Sequence, residues 1–130
     1  IKVGAIYFIA SIKAKRGKFE FYGSEKDMVD KVVKNPNVIE KGLRVLRREA
    51  PTPYGYIDLV AEDSKGNLVI LEFKRSIASF SAALQLMRYV TYYEKILNKK
   101  PRGILVAPAI TNNSLMILKA NGLEYKKIKF

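Results

Sequence analysis

The stretches Tyr56-Ile-Asp-Leu-Val-Ala-Glu62 and Leu68-Val-Ile-Leu-Glu-Phe-Lys-Arg75 are two short apolar runs that decide the fold. The segment between them, Asp63-Ser-Lys-Gly-Asn67, is rich in turn-forming residues, so the pattern predicts a β-hairpin. If the turn is centred on its middle residue, Asp58 lies directly across the strand pair from Glu72. Both carboxylates then sit between apolar neighbours, at the edge of a core.

Opposed carboxylates destabilise a sheet unless something compensates their charge, and an isolated charge at the edge of a core is costly. A divalent cation with oxygen ligands is the expected compensator, held by Asp58, Glu72 and the backbone carbonyl of Phe73. Lys74 shares a face with Glu72 and is expected to hold the attacking water. These residues predict metal-assisted phosphodiester hydrolysis. The alternative is an ordinary lattice of surface salt bridges.

The composition indicates one domain with a polyanionic partner. The chain has 130 residues and is 48% hydrophobic, which is enough for a core. Its 24 Lys and Arg against 12 Asp and Glu give a net charge of +12, for which nucleic acid is the first expectation. The alternative is that a lysine-rich chain is simply soluble. Cys and His are both absent, which excludes thiolate sites and histidine-based catalysis.

No apolar run approaches the roughly 20 residues that span a bilayer, and no signal peptide is visible. We therefore expect a cytoplasmic, nucleoid-associated protein without membrane contact. Residues 1–22 are expected to form strands over 4–11 and 18–22, as a linker or the remnant of a preceding domain. Residues 23–130 are expected to form the main domain.

The order of elements in this domain predicts an α/β fold with an αβββαβ core, in which helices cover both faces of a mixed sheet. Helices are expected over 25–34 (with Ser24 as its N-cap), 36–42, 77–97 and 111–120, the last capped by Asn121 and Gly122. Strands are expected over 43–49, 56–62, 68–75, 104–107 and 123–130, with a loop over 51–55. The crossover helix 77–97 is expected to bury one broad face formed by Phe80, Ala83, Leu84, Met87, Val90 and Thr91.

Gln85 and Tyr89 are four apart in this helix and so share a face. Because the helix follows the hairpin, Gln85 is expected to position Lys74 or a substrate phosphate, and Tyr89 to join the same network. The alternative is the polar stripe of an ordinary amphipathic helix. Glu25 is at a helix N-terminus, where a carboxylate is favourable for dipole reasons alone.

Several residues are candidates for contacts with a nucleic acid. Basic side chains could clamp phosphates, and tyrosines beside Gly55 could stack on bases. The alternatives are solvated charge and packed core aromatics. The main candidates are Arg44, Arg47, Arg48, Tyr54, Arg75 and Arg88. Residues 13–18 and Tyr56 are further candidates.

Asp58 followed by Glu72-Phe-Lys74 resembles the PD-(D/E)XK signature of RecB-like nucleases, and Gln85-Leu-Met-Arg-Tyr89 resembles the QxxxY motif that often follows it. The resemblance is closer still to the nuclease domain of the NucS/EndoMS endonucleases. It extends over about 23–122 and includes Gly23-Ser-Glu-Lys-Asp-Met28, Glu40-Lys-Gly-Leu43, Arg48-Glu49, Pro53-Tyr-Gly55, Asp58-Leu59 and Gly66-Asn67.

The resemblance implies a restriction-endonuclease-like fold and an Mg²⁺- or Mn²⁺-dependent DNA endonuclease, active in repair on mismatched, branched or flapped DNA. It also implies a homodimer and contact with the sliding clamp in the full-length protein. The active-site set that it implies is Glu25, Asp58, Glu72, Lys74, Gln85 and Tyr89. Two departures from the family are expected: this sequence is not expected to contain the N-terminal recognition domain, apart from residues 1–22, and residues 125–130 do not resemble a clamp-binding motif. The alternatives are a junction resolvase of the same fold, a non-catalytic nucleic-acid-binding module and a regulatory domain.

Overall fold

The computed structural model describes residues 25–128, so the expected strands in 1–22 and the cap at Ser24 lie outside the described residues. The elements in chain order are α1 (Glu25–Lys34), a 3₁₀ turn (Pro36–Val38), β1 (Arg44–Thr52), β2 (Gly55–Glu62), β3 (Leu68–Phe73), β4 (Ile77–Ala78), α2 (Phe80–Leu97), β5 (Arg102–Ala107), β6 (Ala109–Ile110), α3 (Asn112–Ala120) and β7 (Glu124–Lys127). No helix in this part of the chain is long and apolar enough to cross a membrane.

Five strands form one mixed sheet in the order β1-β2-β3-β5-β7, and β4 pairs with β6 separately. The β1-β2 and β2-β3 pairs are antiparallel, whereas β3-β5 and β5-β7 are parallel. Leu59 pairs with Leu71, and this register, continued by one residue, sets Asp58 opposite Glu72. The α/β class, the αβββαβ order and the hairpin register are therefore confirmed.

Helices cover both faces of this sheet, as expected. Met28, Val29 and Val32 of α1 pack on one face, in a buried cluster with strand residues such as Val106. Helices α2 and α3 pack on the other face, in a second buried cluster that includes Leu105. Strand β5 is thus buried from both sides, which explains its uninterrupted apolar sequence.

Several boundaries differ from the sequence-based expectation. Strand β3 ends at Phe73 instead of 75, and β5 begins at Arg102 instead of 104. Strand β1 continues through Pro51 and Thr52, so only Pro53 and Tyr54 connect it to β2. Proline is tolerated there because β1 is an edge strand, where a missing N–H need not break a ladder. The expected helix over 36–42 is a single 3₁₀ turn that ends at Val38, and the last strand is shorter than 123–130.

Helix α2 differs most from the expectation. It begins at Phe80 instead of 77, because Ile77–Ala78 pairs with β6. Its buried residues are Ala82, Ala83, Leu86, Tyr89 and Val90, whereas Phe80 is 50% exposed and Leu84, Met87 and Thr91 are half-buried or exposed. The expected face was therefore wrong for Phe80, Leu84 and Thr91. Met87 is only partly buried, but it packs against the second buried cluster as expected.

The reason lies in the contact between α2 and the sheet at Gly103. A Cβ at Gly103 would stand only 2.7 Å from a methyl carbon of Val90 and 3.4 Å from one of Leu86. The absent side chain allows Leu86 and Val90 to approach the strand closely, so they form the centre of the buried face. Met87 lies at the margin of this face, and Leu84 lies outside the buried cluster.

A charged cluster closes the end of the sheet where β3 and β5 begin. The Arg102 guanidinium binds the carboxylates of Glu40 (2.8 Å), Asp63 (3.0 Å) and Glu124 (2.7 Å). Burial acts to raise the pKa of Asp63, but hydrogen bonds from Asn67, Arg102 and the Lys65 amide outweigh it and lower the pKa to about 2. Arg102 thus ties the β2–β3 turn to the 3₁₀ region and to β7.

We expect Arg102→Met to lower the free energy of unfolding by about 2 kcal/mol, because three carboxylates lose a shared counter-ion and Asp63 is only 8% exposed. Arg44→Met is the matched control, since Arg44 pairs with Glu62 at the exposed surface, where such pairs contribute at most about 1 kcal/mol. Urea denaturation compares the two variants. Equal losses would contradict a special role for Arg102.

Candidate active site

Asp58 lies at an irregular point of β2. Its neighbours Ile57 and Leu59 are both fully buried, yet they pack on opposite faces of the sheet. Glu49, which lies across from Asp58 on β1, has a φ of +50°, in the left-handed region that non-glycine residues rarely adopt. This break in the alternation leaves the Asp58 carboxylate at the edge of the core, where it accepts a hydrogen bond of 2.8 Å from the Phe73 amide.

Glu72 is buried and incompletely satisfied. Its side chain is in the last part of β3 at 7% exposure, and among the described residues its buried Oε1 has no hydrogen-bond partner. Burial, and then the charge of Asp58, raise the pKa of Glu72 to about 8. Burial also raises the pKa of Asp58, although the Phe73 amide opposes this shift. The isolated protein therefore holds a proton at this pair near neutral pH.

A divalent cation fits this pair. The two carboxylates are hard donors, and one of them, Glu72, has a buried oxygen without a hydrogen-bond partner among the described residues. They would lose their proton and their mutual repulsion on binding Mg²⁺ or Mn²⁺. Within residues 25–128, no group of three or more acidic, His or Cys side chains is placed to hold an ion. Two carboxylates are enough for Mg²⁺, which commonly completes its shell with water and substrate phosphate. The Phe73 carbonyl as a further ligand stays a prediction.

Lys74 follows the last residue of β3 and is held by its backbone. Its amide donates to the Val106 carbonyl over 2.9 Å, which extends the pairing of β3 with β5 by one bond. The pKa values of Asp58 and Glu72 are raised overall, and the positive charge of Lys74 opposes both shifts. The Lys74 ammonium therefore lies within electrostatic reach of both carboxylates. The structure thus brings together the three residues on which the predicted chemistry depends.

Glu25 approaches the same region from α1. Its Oε2 accepts a hydrogen bond of 2.9 Å from the backbone amide of Arg75, the residue after Lys74. Its negative charge adds to the raised pKa of Asp58. Glu25 therefore borders the carboxylate pair, and its part in catalysis stays a prediction.

Gln85 and Tyr89 hold the β1–β2 turn against α2. The Gln85 side-chain amide donates to the Tyr54 carbonyl (3.1 Å) and to the Tyr89 hydroxyl, which in turn donates to the Tyr56 carbonyl (3.0 Å). Among the described residues, no hydrogen bond joins Gln85 directly to Lys74, so the positioning of Lys74 or of a substrate phosphate by Gln85 stays a prediction. Burial raises the pKa of Tyr89, and the charges of Glu72 and Asp58 raise it further. The hydroxyl is thus close to the carboxylate pair.

Gly55 makes this arrangement possible, although the sequence pattern alone does not predict this role. Its φ is +125°, and a Cβ at this position would stand 2.9 Å from the Tyr89 hydroxyl oxygen and 3.5 Å from the Gln85 amide nitrogen. Any side chain at position 55 would push these two groups away from the turn. A glycine between Tyr54 and Tyr56 was the visible signal, but the clash exists only once α2 is packed.

The predicted DNA-contacting side chains do not form one cluster in the described part of the chain, and Arg44 lies at the end of the β1–β2 pair away from Asp58. Arg44 pairs with Glu62, Arg48 pairs with Asp30 of α1 at 2.7 Å, and Arg88 donates to Gln85 over 3.2 Å. Exposed positions belong to Arg47, Arg75, Tyr54 and Tyr56. Their contacts with DNA stay predictions.

We expect Gly55→Ala to destabilise the protein more than Gly66→Ala. Both glycines have positive φ, but a Cβ at Gly66 meets nothing closer than 4.0 Å, so Gly66→Ala reports backbone strain without a clash. The excess should be about 1–3 kcal/mol in the free energy of unfolding. A double-mutant cycle isolates the clash, because Tyr89→Phe removes the hydroxyl and should recover part of the excess. Zero coupling would show that the Tyr89 hydroxyl is not the obstacle.

We expect the stability of the metal-free protein to fall between pH 4.5 and 8 because of Glu72. In this window the unfolded chain has lost the Glu72 proton, whereas the folded protein keeps it up to a pKa of about 8. The folded state binds more protons, so its free energy of unfolding decreases with rising pH.

Glu72→Gln should remove this dependence, and the variant should gain on the parent by at most about 1.4 kcal/mol per pH unit. Denaturation in a chelator at several pH values measures the difference. The exposed Glu94→Gln variant is the control and should follow the parent. Parallel curves for the parent and Glu72→Gln would refute the raised pKa.

The sequence of this chain matches a known protein family and several of its members. Residues 24–130 match the sequence family described as Endonuclease NucS C-terminal domain. The chain is 50% identical to Endonuclease NucS of Sulfolobus acidocaldarius over 123 residues, which cover 95% of this chain and 49% of that protein. It is 42% identical to Endonuclease NucS of Pyrococcus furiosus over 107 residues, which cover 82% of this chain and 40% of that protein. The chain thus spans about half the length of the curated relatives it matches.

Two solved structures have the same fold. A repair endonuclease from Pyrococcus abyssi superposes with a TM-score of 0.79 at 37% identity, over 85% of this chain and 49% of the other. A structure described as an EndoMS-dsDNA2 complex superposes with a TM-score of 0.80 at 37% identity, over 88% and 48%. The family resemblance of the sequence is therefore confirmed, and the chain belongs to the Endonuclease NucS C-terminal domain family.

Proposed function

We propose that this chain is the nuclease domain of a metal-dependent DNA endonuclease that hydrolyses phosphodiester bonds during DNA repair. One observation carries the proposal: two neighbouring carboxylates, Asp58 and Glu72, sit at the edge of the core beside Lys74, with a buried Glu72 oxygen that lacks a hydrogen-bond partner among the described residues. Two adjacent buried carboxylates and an unpaired oxygen destabilise the folded protein unless a proton or a bound cation compensates them.

Asp58 and Glu72 would hold Mg²⁺ or Mn²⁺, with the Phe73 carbonyl as a further oxygen donor. When bound, such an ion supplies Lewis-acid stabilisation of the charge that develops on the phosphate. Lys74 Nζ would hold and orient the attacking water close to the carboxylates. Gln85 and Tyr89 would keep the β1–β2 turn, and with it the Asp58 end of β2, in place.

DNA as the substrate is supported by charge and by kinship. The chain carries a net charge of +12, and polyanion binding of this kind is dominated by phosphate contacts. The relatives are named endonucleases, and one structural relative is described in complex with double-stranded DNA. Mismatched, branched or flapped DNA is the substrate that we infer from the family, and Arg44, Arg47, Arg48, Arg75, Arg88 and Tyr54 are the proposed contacts.

The full-length protein is proposed to work as a cytoplasmic, nucleoid-associated homodimer that contacts the sliding clamp. These partners rest on the family resemblance, since the chain spans about half of each relative. Sedimentation of the full-length protein, with and without the clamp, would test both contacts.

We expect Asp58→Asn to reduce DNA cleavage in Mg²⁺ by about a thousandfold, because one carboxylate charge leaves the site. The amide oxygen can still accept from the Phe73 amide, so the fold and most of the DNA affinity should remain. Cleavage is followed on labelled mismatched, flapped, four-way-junction and single-stranded DNAs. Glu94→Gln, at an exposed position of α2, is the control and should cleave like the parent.

Two outcomes would contradict the proposal. Near-parental cleavage by Asp58→Asn would mean that the carboxylate pair is not the catalytic centre. DNA binding by the parent without metal-dependent turnover on any of the four DNAs would indicate a non-catalytic binding module instead. Preferential cleavage of the four-way junction would favour the junction-resolvase alternative over a mismatch or flap enzyme.

A further inference from the structure

The outer surface of α2 contains a solvent-open recess next to the β1–β2 turn. The recess has a volume of about 400 Å³ and is bounded on one side by Tyr54 of the β1–β2 turn. The other walls come from one stripe of α2 that runs from Leu84 to Lys95. A volume of this size falls within the range typical of small-molecule and nucleotide sites.

The floor of the recess is apolar although the helix faces water there. Leu84 and Met87 line it and are only half-buried. The sequence pattern predicts both residues in the core. The close packing of Leu86 and Val90 on Gly103 leaves Met87 at the margin of the buried cluster and Leu84 outside it. An apolar strip that remains open on a charged surface is a frequent mark of a binding site.

Two tyrosines form the aromatic part of the recess. The ring centroids of Tyr54 and Tyr92 are 6.4 Å apart and their planes are inclined by 80°, so one ring presents its edge to the other. Edge-on packing leaves the faces of the edge-donating ring uncovered by its partner. Tyr54 is 53% exposed and is therefore available to a planar ligand.

The charge of the recess fits an anion. Arg88 and Lys95 both line it and are exposed, about two helical turns apart. Thr91 lies between them and offers a hydroxyl. None of the described residues that line the recess is acidic, so the cations keep their positive potential. Aromatic faces alternating with cations are the surface that unpaired nucleotides bind.

Hydrogen bonds connect this recess to Gln85 and Tyr89, the QxxxY pair of α2. Gln85 binds the Tyr54 carbonyl, the Arg88 guanidinium and the Tyr89 hydroxyl. The Tyr89 hydroxyl in turn lies within the electrostatic field of Glu72. Gln85 and Tyr89 therefore link the recess to the part of the molecule that contains the carboxylate pair.

We propose that the recess formed by Tyr54, Tyr92, Arg88 and Lys95 binds one nucleotide of the DNA substrate that has left the double-helical stack. Its base would rest on a tyrosine ring over the Leu84 and Met87 floor, and its phosphates would face the two cations. The inference rests on the proposed function, because it takes DNA as the substrate. It adds a site for an unstacked nucleotide within the nuclease domain itself.

Binding of a labelled twelve-nucleotide oligothymidine tests the proposal, with the Asp58→Asn chain as the parent to prevent cleavage. Tyr54→Leu and Tyr92→Leu should each weaken binding about tenfold, the loss of one base–aromatic stack. Tyr54→Phe and Tyr92→Phe keep the ring and should bind within about twofold of the parent. A blunt duplex of the same length, which has no unstacked nucleotide, should bind all five proteins alike. Thermal denaturation verifies that each variant is folded.

Charge is tested by salt dependence. Lys95→Gln should reduce the slope of log affinity against log salt for oligothymidine by about 0.7, the value for one phosphate contact on a single strand. Lys119→Gln, at an exposed position of α3 away from the recess, is the matched control and should leave the slope unchanged.

The proposal is overturned if the parent does not bind oligothymidine, if folded leucine variants bind it as tightly as the parent, or if phenylalanine variants are as weak as leucine variants. It is also overturned if the leucine variants lose duplex affinity to the same extent. A different result would show that the nuclease proposal fails: the chain that retains Asp58 would show no metal-dependent cleavage. The two failures are therefore distinguishable.

Discussion

The antiparallel pairing of β2 with β3 is the constraint on which the rest of the structure depends. Leu59 and Leu71 pair at fully buried positions, so a slip of one residue would drive apolar side chains out of both cores. The same register sets Asp58 beside Glu72. The site is thus held by the burial of its apolar neighbours and by the hydrogen bond from the Phe73 amide to Asp58, which oppose the repulsion between the two carboxylates.

Acidic residues at the two ends of β3 have opposite pKa shifts. At its start, three carboxylates surround the Arg102 guanidinium, and hydrogen bonds keep the Asp63 pKa at about 2. At its finish, Glu72 is buried against Asp58 with one oxygen unpartnered among the described residues and a pKa near 8. The first arrangement stabilises the folded state by itself. The second is stable only with a proton or a cation, which is the behaviour expected of a site that binds an ion.

Backbone strain and side-chain hydrogen bonds are concentrated around the second arrangement. Glu49 has a left-handed φ across from Asp58, and Gly55 has a φ that L side chains rarely adopt. Strain of this kind persists only when the surroundings impose it, and here Gln85 and Tyr89 hold the turn through two carbonyls. The QxxxY pair therefore acts on the geometry of the site through the turn, and the same contacts form one wall of the recess on α2.

The sequence by itself determined the order of the core elements, the hairpin register and the placing of Asp58, Glu72 and Lys74 together, because these depend on spacing along one or two neighbouring strands. It also identified Gln85 and Tyr89 as one face of a helix. Only the tertiary structure decided which apolar stripe of α2 is buried and how Ile77–Ala78 pairs with β6. It also showed that position 55 has no space for a side chain. Helical periodicity leaves the rotation of a helix about its axis open. That rotation follows from the contact of Leu86 and Val90 with Gly103, residues brought together only when the sheet and the helix pack.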